Sequence, residues 1–166
     1  MNHPNVAKTL DYIDDGSRAY LVEEFVNGND LGWLLKERFH YLDPQIIAWI
    51  LHRLAKGIAA SHHAGVVHRD LKPSNIMVVG GEAVHEIKIT DFGIAKLAEE
   101  ELAEAVQGGD ESITASQTAI GALPYMAPEM IEDISGVTVA VDVWSLGAMT
   151  FELLTGSKPF GSGLDP

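Results

Sequence analysis

The sequence predicts an α+β fold in one domain, on three observations. Two stretches, 44–64 and 138–154, carry apolar residues at helical spacing. Two others, within 1–28 and 76–89, read as strands joined by turns. The length of 166 residues, 46% of them hydrophobic and 21% charged, suits one globular domain able to bury about 68–70% of its unfolded surface.

Each element has a local cause. Asp14-Asp15-Gly16 supplies a turn, after which Tyr20, Leu21, Val22 and Phe25 form an apolar strand within 18–26. Asn29 or Asp30 suits the N-cap of a short helix over Leu31, Trp33, Leu34 and Leu35. The first long helix has Asp43 as N-cap, Pro44 at its first position and Gly65 at its end. Its apolar face is Ile47, Ile50, Leu51, Leu54 and Ile58. Ile76 to Val79, the turn Gly80-Gly81, then Ile87 and Ile89 read as a hairpin. A weak acidic helix is expected at 98–107, then a polar stretch to Thr118. The second long helix runs from Thr138 to Leu154, stopped by Gly156 with Pro159 beyond. No internal repeat or dividing linker interrupts the chain.

Charge and composition exclude several function classes. With 24 acidic residues against 11 Lys+Arg, the net charge of −13 argues against nucleic-acid binding, which requires clustered cations. The absence of cysteine removes disulfides, thiolate metal sites and cysteine nucleophiles, and fits a reducing compartment. Met1-Asn2-His3-Pro4 lacks the basic start and apolar run of a signal peptide. The most membrane-like stretch, 137–154, contains Asp142 and Glu152 and reads as a buried helix. No membrane segment is expected in this chain, and a cytoplasmic location follows.

The chemistry is concentrated in His68-Arg69-Asp70-Leu71-Lys72-Pro73-Ser74-Asn75, between the long helix and the hairpin. Asp91-Phe92-Gly93 follows directly after a strand. Tyr125-Met126-Ala127-Pro128-Glu129 comes later, then Asp142-Val143-Trp144-Ser145-Leu146-Gly147 on the last helix. Singly these residues are ordinary: a lone Asp is solvated, and a lone Asn caps a turn. Together and in this order they resemble the catalytic loop, metal-binding loop, activation-segment end and C-lobe helix of a eukaryotic-type Ser/Thr protein kinase of bacterial character.

The resemblance implies a protein-kinase-like α+β fold: a partial N-lobe sheet over 1–23, a hinge over 24–30 and the first part of a helical C-lobe over 31–166. It implies that Asp70 accepts the proton of the substrate hydroxyl and that Lys72 brings a cation to the transferring phosphate. Asn75 and Asp91 become oxygen ligands to Mg²⁺. Glu24 and Val26 become hinge residues whose backbone pairs with the adenine of ATP, Asp30 a ribose contact, and Met77 the adenine's floor. The partner is a protein with a Ser/Thr acceptor. His62 and His68 match structural positions, with His68 packed beneath Phe92, and Asp142 should hold the catalytic loop's backbone.

The sequence departs from the family pattern in places. Glu23 stands at the back of the adenine pocket where an apolar or small residue is usual. Thr9 replaces an aliphatic, and Ala122 replaces a hydroxyl that would bond Asp70 and Lys72. No Gly-rich phosphate loop precedes His3, so weak or absent activity of this chain alone is expected. Glu129 lacks the arginine that would answer it in a packed site. Unpaired strand edges and an uncovered 138–154 helix imply self-association. A non-catalytic pseudokinase or docking module is the alternative. A Mg²⁺ phosphohydrolase using Asp70 and Asp91 fits less well, since nothing positions an attacking water. In the hydroxyl-rich segment 112–118 the resemblance implies regulatory phosphorylation.

Overall fold

A computed structural model describes residues 2–16, 18–37, 43–80, 84–92, 121–132 and 137–160. Strands β1 (Thr9–Asp14) and β2 (Ala19–Glu23) pair antiparallel, Asp14 opposite Ala19, with an irregularity between Thr9 and Asp11. The turn forms where its residues require: Asp14 Oδ1 accepts the Gly16 N–H at 2.8 Å, and Asp15 Oδ1 accepts the Arg18 N–H at 2.8 Å. β1 is exposed along its whole length.

The second sheet is β3 (Asn29–Asp30), β4 (Ile76–Val79) and β5 (Glu86–Ile89), antiparallel in that order. The hairpin was legible in the sequence; β3, two residues long, was not. Gly28 enters it so close to β4 that a Cβ there would lie 2.2 Å from the Val78 carbonyl oxygen, which only glycine tolerates. Residues 5–7 line the outer side of β5: the Ala7 N–H donates to the Ile89 carbonyl at 2.8 Å, and the Ile89 N–H to the Asn5 carbonyl at 2.9 Å. Period-two alternation turns Ile76, Val78, Ile87 and Ile89 into the core.

Helix α1 (Leu31–Glu37) starts on Asp30, whose Oδ1 accepts the Trp33 N–H at 2.8 Å. Helix α2 (Pro44–His63) begins as its sequence signals, with Asp43 Oδ1 accepting the Gln45 N–H at 2.7 Å. Helix α3 (Pro128–Glu132) is a short turn. Helix α4 (Ala140–Thr155) begins two residues later than expected, with Val139 as its N-cap and the Thr138 hydroxyl accepting the Ala140 N–H at 3.3 Å from outside the helix. Gly156, in the left-handed region at φ +71°, ends it with an N–H bond of 2.8 Å to the Glu152 carbonyl.

The core sits where α2 meets β5 and α4: Ile50, Leu54, Ile87, Ile89, Met149 and Leu153 are buried to 1% exposure or less. Burial of each such side chain contributes roughly 1.5–3 kcal/mol. Among the described residues no helix is long and apolar enough to cross a membrane. The expected weak helix at 98–107, the hydroxyl-rich segment 112–118, Gly81 of the hairpin turn, and Gly93 lie outside the described residues.

Candidate active site

One end of the β4–β5 hairpin gathers four of the residues singled out in the sequence. A one-turn 3₁₀ helix, Pro73–Asn75, leads into β4. It turns Asn75 inward, where the amide Nδ2 donates to the Asp70 carbonyl at 2.8 Å and to Asp70 Oδ2 at 3.2 Å. Both partners accept only, so the amide has one orientation, with Oδ1 on the other side. Lys72 Nζ donates to the same Asp70 Oδ2 at 2.6 Å. Asp70 therefore has one oxygen engaged twice, while Oδ1 has no partner among the described residues. Across the hairpin, the Thr90 N–H donates to the Asn75 carbonyl at 2.9 Å. That bond sets Thr90 opposite Asn75, and Asp91 is the next residue along the chain.

Two residues of this site have left-handed backbones that side chains rarely adopt, Arg69 at φ +68° and Asp91 at φ +62°. A carboxylate grips each. Asp142, fully buried on α4, accepts the His68 N–H on Oδ2 and the Arg69 N–H on Oδ1, both at 2.9 Å. His62 Nε2 donates to Asp142 Oδ2 at 2.7 Å. At Asp91 the grip comes from Glu23, whose Oε2 accepts the Asp91 N–H at 3.1 Å. The other Glu23 oxygen, Oε1, is buried without a hydrogen-bond partner. Burial, reinforced by the Asp91 charge, pushes the Glu23 carboxyl above the ordinary range despite that backbone bond.

His68 is a structural residue, as expected. It is buried, its ring lies 4.5 Å from that of Phe92, and Nε2 donates to the Thr90 carbonyl at 2.9 Å. Nδ1 then accepts the Asp70 N–H at 3.3 Å, which fits a neutral ring. Desolvation drives its pKa below the ordinary value.

The expected hinge residues hang from β2. The Glu24 N–H donates to the Lys8 carbonyl at 2.8 Å. Its carboxylate accepts from Lys88 Nζ at 2.5 Å and the Lys8 N–H at 3.2 Å, and the Lys88 bond lowers its pKa. Among the described residues the Glu24 carbonyl and the Val26 N–H take part in no backbone hydrogen bond, leaving an acceptor and a donor two residues apart. Val26 is buried and Met77 half-buried, with Met77 opposite Asp30 in the β3–β4 pair. Asp30 caps α1 as well, so one of its oxygens is already engaged.

Glu129 departs from its expected setting and Lys88 was not foreseen. Glu129 is exposed, so no penalty for an unpaired buried carboxylate arises there. Ala122 is buried and leaves Asp70 as the partner of Lys72. Lys88 was not singled out. Its place between the core residues Ile87 and Ile89 puts it on the opposite face of β5, the signal that could have found it.

The protein kinase domain model matches residues 1–165. The serine/threonine-protein kinase PkaA of Streptomyces coelicolor is 38% identical over 98% of this chain, which covers 28% of that protein. PkaB of the same organism is 36% identical over 98% of the chain and 37% of its own length. PknL of Mycobacterium tuberculosis is 36% identical over 96% of the chain and 36% of its own length. The chain thus spans between a quarter and two fifths of these relatives. With the family model matching almost every residue, this chain belongs to the protein kinase domain family.

Proposed function

We propose that this chain carries the catalytic chemistry of a Ser/Thr protein kinase, moving the γ-phosphoryl group of ATP to Ser or Thr hydroxyls of a protein. The observation that carries the reading is the Asp70–Lys72–Asn75 network, in which both partners converge on Oδ2. Oδ1 is left to orient the acceptor hydroxyl. Asp70 takes the hydroxyl proton as the acceptor oxygen bonds to the γ-phosphorus and the bond to ADP breaks. Lys72 offsets charge on the transferring group, a role in which positioning and electrostatics dominate.

The fixed Asn75 amide, just before β4, and the Asp91 carboxylate, just beyond β5, are hard oxygen donors, a set that suits Mg²⁺. A divalent cation held by Asn75 and Asp91 would supply positive charge that offsets the charge of the phosphates. The Glu24 carbonyl and Val26 N–H fit the edge of an adenine ring, Met77 its face and the second oxygen of Asp30 a ribose hydroxyl. In this reading 1–23 belongs to the N-lobe, 24–30 is the hinge and 31–166 belongs to the C-lobe. The cysteine-free composition fits a reducing, ATP-supplied compartment, so we place the domain in the cytoplasm. The intact network favours catalysis over a docking-only role.

Transfer of labelled γ-phosphate to a Ser/Thr substrate by the full-length protein tests the reading. Asp70→Asn is expected to lower kcat by about 10²–10⁴. Equal rates in that variant and the parent would refute it.

A further inference from the structure

A cleft of about 320 Å³ opens beside the Asp70–Lys72 pair, between α1, the catalytic loop and the C-terminal end of α4. Its lining reverses the charge of the molecule. The whole chain has 24 acidic residues against 11 Lys+Arg, yet the described residues lining this cleft include Lys36, Lys72 and Lys158 against Glu152 alone. Lys72 is paired with Asp70. Glu152 is taken up by the Tyr125 hydroxyl, which donates to its Oε2 at 2.5 Å. Lys36 and Lys158 are exposed and make no ion pair among the described residues. Lys158 Nζ stands 5.8 Å from the centre of the Tyr125 ring, above the same wall of the cleft.

We infer that the cleft selects acceptor proteins carrying acidic side chains within a few residues of the phosphorylated Ser or Thr, with Lys36 and Lys158 as the specificity-determining cations. The inference rests on the kinase reading above. The physical case is one of range. At physiological ionic strength a charge is felt over about 8 Å, so only carboxylates farther than that from the cleft weigh little against its two lysines. A carboxylate entering the cleft meets those cations, and a lysine or arginine entering it is repelled. The rival is Glu152, whose charge a neutral hydroxyl does not cancel and which would favour basic acceptors if it outweighed the two lysines.

The test uses the full-length protein and short Ser peptides whose flanking residues are Glu, Ala or Arg. Phosphate transfer is measured for each, and peptide binding is followed separately by fluorescence anisotropy. The Glu-flanked peptide is expected to have the highest kcat/KM. Lys36→Glu and Lys158→Glu should each lower it about two- to fivefold, as exposed contacts do, and both together about tenfold. The double variant should also prefer the Arg-flanked peptide. Because the preference is a ratio within one preparation, it does not depend on the fraction folded. Transfer with no charge preference, or with an Arg preference in the parent, overturns the inference and leaves the kinase reading standing. Lysine-dependent binding of the Glu-flanked peptide without transfer supports the cleft assignment and overturns the kinase reading. Neither transfer nor charge-selective binding overturns both.

Discussion

Glu23 and His68 are buried to different degrees and respond to pH in opposite directions. The Glu23 carboxyl is held above its ordinary 4.5, so the folded state disfavours its ionised form. That penalty is absent below pH 4.5, grows as pH rises through the folded value, and is constant above it. Glu23→Gln keeps an acceptor for the Asp91 N–H and removes the charge. It should stabilise the protein at neutral pH by less than about 1 kcal/mol, since solvent screens a half-exposed group, and leave stability unchanged below pH 4.5. Urea titrations at the two pH values check this. His68 has its pKa depressed below the ordinary 6.5, so the unfolded chain binds the extra proton first. Its contribution is present above pH 6.5 and is lost as pH falls, with a slope of at most about 1.4 kcal/mol per pH unit. His68→Phe should flatten the fall in urea midpoint between neutral and mildly acid pH; an unchanged slope would exclude His68 as its source. At Lys72, replacement by Met should reduce kcat by about 10²–10³, read in the same γ-phosphate transfer assay.

At the scale of elements, the 68–75 loop is shaped by a helix far away in sequence. Asp142 on α4 holds two consecutive N–H groups next to a left-handed Arg69. Asp142→Ala would leave both donors without their partner and should destabilise the fold by about 3 kcal/mol, read as a lower urea midpoint. The Asp43 cap of α2 is a local matter. Asp43→Ala should cost about 1 kcal/mol, with no change in the ratio of rates for different peptides. These elements also differ in how far they could be read from sequence. The two long helices, the β1–β2 turn and the β4–β5 hairpin follow from periodicity, caps and glycines within each segment. Strand β3 could not be read that way, because its two residues are extended only by pairing with Met77 and Val78, distant in the chain. The start of α4 lies two residues later than periodicity suggests, with Val139 and not Thr138 as its N-cap.

For the whole molecule the feature that matters is apolar surface. Leu10, Tyr12, Ile13, Tyr20 and Phe25 are exposed on the β1–β2 ribbon and its exit, Phe25 to 88%. Val143, Phe151, Leu154 and Phe160 are exposed on and beyond α4. A two-stranded ribbon is marginal alone, and contiguous apolar surface drives association. The 166-residue chain by itself is therefore expected to self-associate. Sedimentation should show oligomers whose proportion rises with concentration, and a monomer at all concentrations would count against this.

What the sequence determined by itself was the family, the long helices and the hairpin, and it put forward Asp70, Lys72, Asn75 and Asp91 as the proposed site residues, because each is written in residue type, order and local spacing. Only the tertiary structure decided how these groups are held. That Asn75 and Lys72 share one oxygen of Asp70, that Glu23 grips the backbone of Asp91, and that Lys36 and Lys158 line one cleft depend on packing between segments many residues apart. Periodicity describes which face of an element is buried; it carries no information on which distant face it meets, and the site is built from those meetings.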